Sequence, residues 1–374
     1  MTDMEIGRRA FLGSAAAGAA SLAFAGCTRT VRKPMTCLPK VDVAPERVIH
    51  TMAGLRPYRP GGFVVRAEAL GDKRLVHNYG HGGAGITLSW GTSRLAVDLS
   101  LPGHSGPVAV IGAGVVGLSN ARLVQEAGFD VTVYTKALPP DTTSNVAGGQ
   151  WQPAHLFDDT VVTAAWRQQY LAAAAYSWRR FQTLVGDDYG VRWLPTYQES
   201  SSAISQLLPG FPPDSRMLTH DDHPFPVDHV AYFETMYIET GRYLRQLIRD
   251  IRTAGGKIHT RDFATAADLT SLPERLVFNC TGLGARQLFG DTDLTPIRGQ
   301  VAILLPQPEI QYAYAFKRSG YMFPRPDGII LGGTFENGVF DPAPQAGDIT
   351  KILNAHKGLF NEYRCTPPLH SAPV

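Results

Sequence analysis

Cysteines, excess charge of one sign and long uninterrupted apolar runs are all scarce in this chain. Cys27, Cys37, Cys280 and Cys365 are the only four cysteines in 374 residues, and none forms a CxxC pair or sits at metal-ligand spacing with histidines. A thiolate metal site is therefore not expected. The formal net charge is +2, and no basic stripe interleaved with aromatics is present, which argues against a nucleic-acid partner. A chain of this length with ordinary apolar content buries a substantial core, in two domains that run in series or interleave.

The N-terminus carries the clearest compositional signal. "GRRAFLGSAAAGAASLAFAGC" places Arg8 and Arg9 before Phe11 and Leu12, then runs uncharged to Gly26 and Cys27. Its apolar core is short for a bilayer span and leaves through small residues, as in an export signal. The paired arginines followed by "AFLG" resemble a twin-arginine signal, and "FAGC" resembles a lipobox with Cys27 as the lipid attachment point. The expectation is an exported, periplasmic protein with a candidate anchor at Cys27. Residues 28–48, polar and proline-containing, read as a linker.

Two stretches then invite attention. "HNYGHGGAGITLSWG", His77 to Gly91, packs glycines into a pattern that otherwise alternates like a strand, which marks a bulge or a close approach of backbone to something else. Thr87 to Ser100 reads as a helix or as a strand running into one. After the Gly- and Pro-rich connector "LPGHSGP" (101–107), a short apolar strand leads into Gly112, Gly114 and Gly117, a GxGxxG turn at the head of a helix, with a second strand at Val131 to Thr135. This βαβ opening fits a dinucleotide: the first glycine permits the sharp turn, the second admits a pyrophosphate, and the third lets helix and strand pack. Val115 and Val116, at the start of the helix, belong to the same binding turn. The acidic residue that usually takes the ribose hydroxyls is missing, because Thr135, Lys136 and Ala137 stand there. On spacing alone NAD, FAD and NADP all remain open.

Further on, residues 164–186 and 240–256 read as amphipathic helices, the second ended by Gly255 and Gly256. Strands follow at "GKIHTRD", "RLVFNCTG", "QVAILLP" and "GIILGGTF". The mixture points to an α/β nucleotide-binding domain interleaved with a mostly antiparallel second sheet. "NEYRCTPPLHSAPV" reads as a frayed tail.

"VIGAGVVGLS", "TTSNVAGGQWQP", "NCTG", "RGQ", "GYMFP", "GLRPYRP" and "NYGHGGAGITLSWG" together resemble the D-amino-acid oxidase family of flavoproteins, over roughly residues 54–340. The family places its dinucleotide turn first and closes on "GLRPxRP" and "NYGHGG"; here those blocks precede the turn. The order is that of a circular permutant joined through "LPGHSGP". The implied layout is an export signal (1–27), linker (28–48), permuted segment (49–100), junction (101–107), FAD-binding βαβ and flavin strip (108–155), a substrate-domain part (156–235), an FAD-domain part (236–300), substrate sheet (301–350), and C-terminal helix and tail (351–374).

The resemblance makes FAD the cofactor. It implies that Gly82, Gly83, Ala84, Gly85, Ile86 and Thr87 run along the flavin with their amides toward its pyrimidine edge. Thr142, Thr143 and Ser144 would bind FAD phosphate, and Ala147, Gly148, Gly149 and Gln150 would form the strip beside the ring, with Thr281 and Gly282 of "NCTG" and Lys136 near the cofactor. Arg56 would bind the substrate carboxylate, Tyr321 would assist it, and the Gly83 carbonyl would take the substrate amine. The family often has a tyrosine where Lys317 stands. The implied activity is oxidative deamination of D-amino acids by hydride transfer to flavin, with oxygen or another acceptor taking the electrons. Oxidation of glycine or N-methyl amino acids, and flavin binding without turnover, are the alternatives. His81 and Cys280 read as structural.

Overall fold

The computed structural model describes Met35 and residues 37–365. The Arg8–Arg9 leader, Cys27, the first part of the linker and residues 366–374 lie outside the described residues. Strands β1 (Val48–Tyr58), β2 (Val64–Leu70) and β3 (Lys73–Tyr79) precede helix α1 (Gly85–Ser100). The βαβ unit is β4 (Val108–Ile111), α2 (Val115–Glu126) and β5 (Val131–Thr135), followed by the single turn α3 (Thr143–Val146) and the long helix α4 (Ala164–Gln182). Next come β6 (Val191–Glu199), β7 (Arg216–Thr219), β8 (His229–Ile238), α5 (Thr240–Thr253), β9 (Lys257–Thr260), β10 (Leu276–Asn279) and α6 (Ala285–Phe289). The described chain closes with β11 (Thr295–Leu304), β12 (Ala313–Phe316), β13 (Gly320–Arg325), β14 (Gly328–Gly332), the short β15 (Glu336–Asn337) and α7 (Ala346–Asn361).

These strands form two sheets. The six-stranded sheet runs β2-β3-β10-β4-β5-β9, parallel throughout except for the β2–β3 pair. Its central strand β4 is buried at every position, as a parallel strand covered on both faces must be. The nine-stranded sheet runs β1-β11-β14-β13-β12-β6-β8-β7, with β15 pairing β11, and is antiparallel apart from β12–β6. The mixed α/β architecture is the expected one.

Helices α1, α2, α4 and α5 share one core with the six-stranded sheet, where Trp90, Leu118, Phe181, Tyr243 and Phe278 are buried together. The Trp90 indole Nε1 donates to the Tyr243 hydroxyl at 2.6 Å, tying α1 to α5. Gly91 lets α1 cross α4 closely, since a Cβ there would collide with the Ala173 backbone. Helix α7 covers the nine-stranded sheet, burying Ile352, Leu359 and Phe360 against Tyr314, Met322 and Leu331.

Four sequence expectations need correction. The alternation of the opening glycine stretch ends at Tyr79: positive φ at Gly80 (84°) and Gly82 (51°) turns the chain out of the strand, and α1 already begins at Gly85. The second half of the expected linker is docked, with Val41 and Val43 buried and the Tyr312 hydroxyl donating to the Pro39 carbonyl at 2.7 Å. The start of the expected frayed tail is fixed too, because Tyr363 is buried and Cys365 is disulfide-bonded to Cys37, 328 residues away in sequence with a Cα–Cα distance of 5.7 Å. Helix α4, expected in the substrate part, packs on α1, and its Trp178 meets Trp193 of β6 at 5.3 Å between ring centroids, so it joins the cores of both sheets. Periodicity shows that such a helix has an apolar face, not which sheet receives it.

Candidate active site

A cavity of about 1050 Å³ runs between the two sheets. The Gly112–Gly114 turn lies at the carboxyl end of β4, where open α/β sheets bind their ligands. Gly112 has φ +110°, and a Cβ there would lie 2.5 Å from the Cys280 carbonyl, so the turn needs glycine both for its backbone and for its space. Gly117 does not line the cavity; a Cβ on it would run into the Gly112 carbonyl and lie 3.4 Å from the Cys280 Cβ, which makes it the packing glycine. Val115 and Val116 line the cavity, as do Lys136, Thr142, Thr143, Ser144, Thr281 and Gly282. The Ser144 hydroxyl already accepts the Val115 amide at 3.0 Å, and the Thr142 hydroxyl reaches Asn145 Oδ1 at 2.8 Å. Thr281 is held from behind, donating through its amide (3.2 Å) and hydroxyl (2.7 Å) to Asn279 Oδ1.

The strip Ala147–Gln150 also lines the cavity and is tied to β8 of the nine-stranded sheet. The Ile238 amide donates to the Gly149 carbonyl at 2.8 Å, and the Trp151 amide to the Met236 carbonyl at 2.8 Å. Gly149 has φ +88°, and Gly148 lies so close to the Phe323 ring that a Cβ would sit 2.5 Å from its Cδ2.

Gly82, Gly83, Gly85 and Ile86 line the cavity, whereas Ala84 is buried beneath it and Thr87, also buried, is 3.5 Å from the Gln150 carbonyl through its hydroxyl. The expectation that all these amides face a ligand needs narrowing. The Gly83 amide donates to the His155 carbonyl at 3.1 Å and the Ala84 amide to the His81 carbonyl at 2.9 Å. The first turn of α1 has no side-chain cap, so the amides of Gly85, Ile86 and Thr87 form a positive helix end at the cavity. His81 itself is buried, bonded through Nε2 to Thr92 Oγ1 at 2.8 Å, and desolvation pushes its pKa down to about 3. It stays a neutral structural residue. Burial likewise pushes the free Cys280 thiol up, away from thiolate reactivity.

Arg56 and Tyr321 stand on the nine-stranded sheet. β1 pairs with β11, placing the Arg56 guanidinium directly over Gly299, where any side chain would collide with it. Its Nη1 is buried with no hydrogen-bond partner among the described residues. The residue as a whole is half-buried, and an anion bound from the cavity would pair this buried nitrogen. Tyr321 stacks on Phe323, with ring centroids 4.6 Å apart, and its hydroxyl lies beside Gly333. Gly332 leaves the room that this tyrosine occupies, and Gly320 lets its own strand pass close to the Gly332 carbonyl.

Several wall residues carried no signal in the sequence. His155, at φ 50°, packs against the Phe335 ring at 4.7 Å, and burial followed by the charge of Arg56 lowers its pKa. The Gly333–Phe335 segment is anchored through the "RGQ" motif, where Arg298 Nε (2.9 Å) and Gln300 Nε2 (2.8 Å) both donate to Glu336. Burial alone would raise the Glu336 carboxyl, but hydrogen bonds from Arg298, Thr334 and Gln300 hold it at about 2. Lys317 lines the cavity yet is matched by Glu199, whose carboxylate accepts the Lys317 amide at 2.8 Å and lies 3.9 Å from its ammonium. Among the described residues no cluster of His, Cys, Asp or Glu could hold a metal, and no helix is long and apolar enough to cross a membrane.

The donor set suits a flavin dinucleotide. A glycine cradle stands at the phosphate turn, the buried Asn78 Oδ1 on the cavity wall has no partner among the described residues, and an uncapped helix end faces the cavity. Of the proteins similar to this chain, a human D-aspartate oxidase is 30% identical over 282 residues, covering 71% of this chain and 77% of that protein. A D-amino-acid oxidase of Streptomyces coelicolor is 30% identical over 247 residues, 64% of this chain and 73% of its own. Among solved structures, an iminodiacetate oxidase from Chelativorans sp. BNC1 shares the fold with a TM-score of 0.52 at 17% identity, covering 68% of this chain and 79% of that one. A glycine oxidase from Bacillus cereus gives 0.51 at 16%, covering 70% and 80%. The model of the family described as FAD dependent oxidoreductase matches residues 21–99 and 107–371, most of the chain. With that match and a glycine cradle, flavin strip and unpaired arginine around one cavity, the chain belongs to the FAD dependent oxidoreductase family.

Proposed function

We propose that the chain catalyses oxidative deamination of D-amino acids, yielding an imino acid that water hydrolyses to a keto acid and ammonia. The observation that carries this reading is Arg56: a half-buried arginine on the wall of the same cavity as Tyr321, with a buried Nη1 that has no partner among the described residues. Its planar fork matches a carboxylate, and the Tyr321 hydroxyl adds a third donor. FAD, when bound, supplies the acceptor for the substrate Cα hydride. The protein orients the substrate through its carboxylate and offers the Gly83 carbonyl to the amine, with Phe335 and His155 forming part of the cavity wall. The positive end of α1 opposes the negative charge that develops on the cofactor side. The printed names of the curated relatives, D-aspartate oxidase and D-amino-acid oxidase, support an amino-acid substrate.

The same proposal includes the chain order and the location. A family match that breaks between residues 99 and 107 supports a circular permutation joined through residues 101–107. The Cys37–Cys365 disulfide supports it too, since the present ends of a permutant come from opening a once-continuous stretch and so lie close together. A disulfide also fits an oxidising compartment and thus export behind the Arg8–Arg9 leader, with Cys27 as the candidate lipid anchor.

The test is an absorbance spectrum of the purified mature chain under anaerobic conditions. Flavin bands that bleach with D- but not L-amino acids are expected. Equal bleaching by glycine and N-methylglycine would transfer the assignment to those amines, and unbleached bands with every amine would leave a binding protein without turnover.

A further inference from the structure

The end of β5 presents a puzzle that the rest of the site does not resolve. A carboxylate there ordinarily accepts the two hydroxyls of the adenosine ribose. Lys136 occupies the place, and an ammonium has donors but no acceptor. The neighbouring parallel strand supplies what is missing. β9 pairs with β5 through Thr135↔Thr260, and the Arg261 amide donates to the Thr135 carbonyl at 2.8 Å, so the chain leaving β9 is fastened to the end of β5. The next residue, Asp262, lines the same cavity as Lys136, and its Oδ2 is 3.0 Å from the Lys136 ammonium.

We propose that Asp262 is the ribose-binding carboxylate of this chain, delivered from β9 instead of β5, with Lys136 as its positioning partner. The inference rests on FAD as the cofactor. The ion pair engages Oδ2 and leaves Oδ1 as an acceptor for ribose hydroxyls. Lys136 also offsets the repulsion that a lone carboxylate would feel from the cofactor's diphosphate. Arg261 does not compete for this role, because its guanidinium lies over the Phe263 ring at 4.7 Å and donates to Ser271 at 2.8 Å. Asp141, the other carboxylate on this stretch of the wall, sits next to the hydroxyl run at Thr142 and is the alternative acceptor.

The experiment measures release of FAD from the diluted holoenzyme by the rise in free-FAD fluorescence, with FMN as a probe that lacks the adenosine half. Asp262→Asn is expected to raise the FAD dissociation constant about tenfold or more, with FMN affinity and melting temperature at saturating FAD unchanged. Exposed ion pairs contribute little to folding, so the variant should fold. Lys136→Met should weaken FAD less, and the swap K136D/D262K should restore affinity. FAD affinity within twofold of wild type in Asp262→Asn, equal losses in Lys136→Met and Asp262→Asn, or a loss confined to Asp141→Asn would overturn the assignment. A folded wild-type chain that holds no FAD and takes up none would instead remove the cofactor on which it rests.

Discussion

On the six-stranded sheet the cavity is walled by glycines and hydroxyls that are already held by the protein: Ser144 takes the Val115 amide, and Asn279 takes Thr281. On the nine-stranded sheet it meets Arg56, whose Nη1 has no partner among the described residues. The first wall is held mostly by the protein's own bonds, with Asn78 Oδ1 and the end of α1 left open, and the second presents a charged nitrogen waiting for a partner. The difference separates cofactor retention, a matter of shape and many weak donors, from substrate selection, where one charge dominates.

Arg56→Ala breaks this comparison most sharply. We expect kcat/KM for D-amino acids to fall at least about a hundredfold, from the loss of a buried charged contact of about 3 kcal/mol or more. FAD content should stay at the wild-type level. Loss of flavin together with activity would show that the two walls are not separable.

The paired substitution Cys37→Ser and Cys365→Ser comes next. Opening a clasp that closes nearly the whole chain should cost about 2 to 4 kcal/mol, read as a lower unfolding midpoint in urea. The clasp borders α7 and the nine-stranded sheet, so KM for substrate should rise more than the FAD dissociation constant. The reverse order would place the clasp's influence on the wrong wall.

The smallest expected effect concerns acid. His356 on α7 is buried behind the nine-stranded sheet, accepting the Tyr314 hydroxyl at Nδ1 (2.6 Å) and lying 3.3 Å from the Gly332 carbonyl through Nε2. Desolvation lowers its pKa from 6.5 to about 4. The unfolded chain therefore binds the extra proton, so this group's contribution is fully present above pH 6.5 and is lost as pH falls toward 4. His356→Gln should remove about one proton from the slope of stability against pH in that window. His81, lowered to about 3 beneath the cavity, should continue to report from the other wall.

Much of the cofactor wall was legible because it is local. Strand, glycine turn, helix and second strand follow one another within residues 108–135, and each glycine's task is dictated by neighbours a few residues away. Arg56 and Tyr321 were legible only through resemblance, since an isolated arginine or tyrosine carries no periodic signal. His155, Phe335 and the β9 exit were not legible at all. They reach the cavity from segments whose burial depends on long-range pairing, such as β1 with β11 and β5 with β9.

The sequence by itself determined the βαβ turn, the length and amphipathicity of α4 and α5, and the absence of an acid at the end of β5, all properties of contiguous residues. Only the tertiary structure decided which cysteines pair, that α4 packs on α1, that the glycine stretch opens a helix, and which carboxylate stands beside Lys136. Those outcomes depend on what strand pairing and core packing bring together across hundreds of residues, and no local pattern encodes that distance.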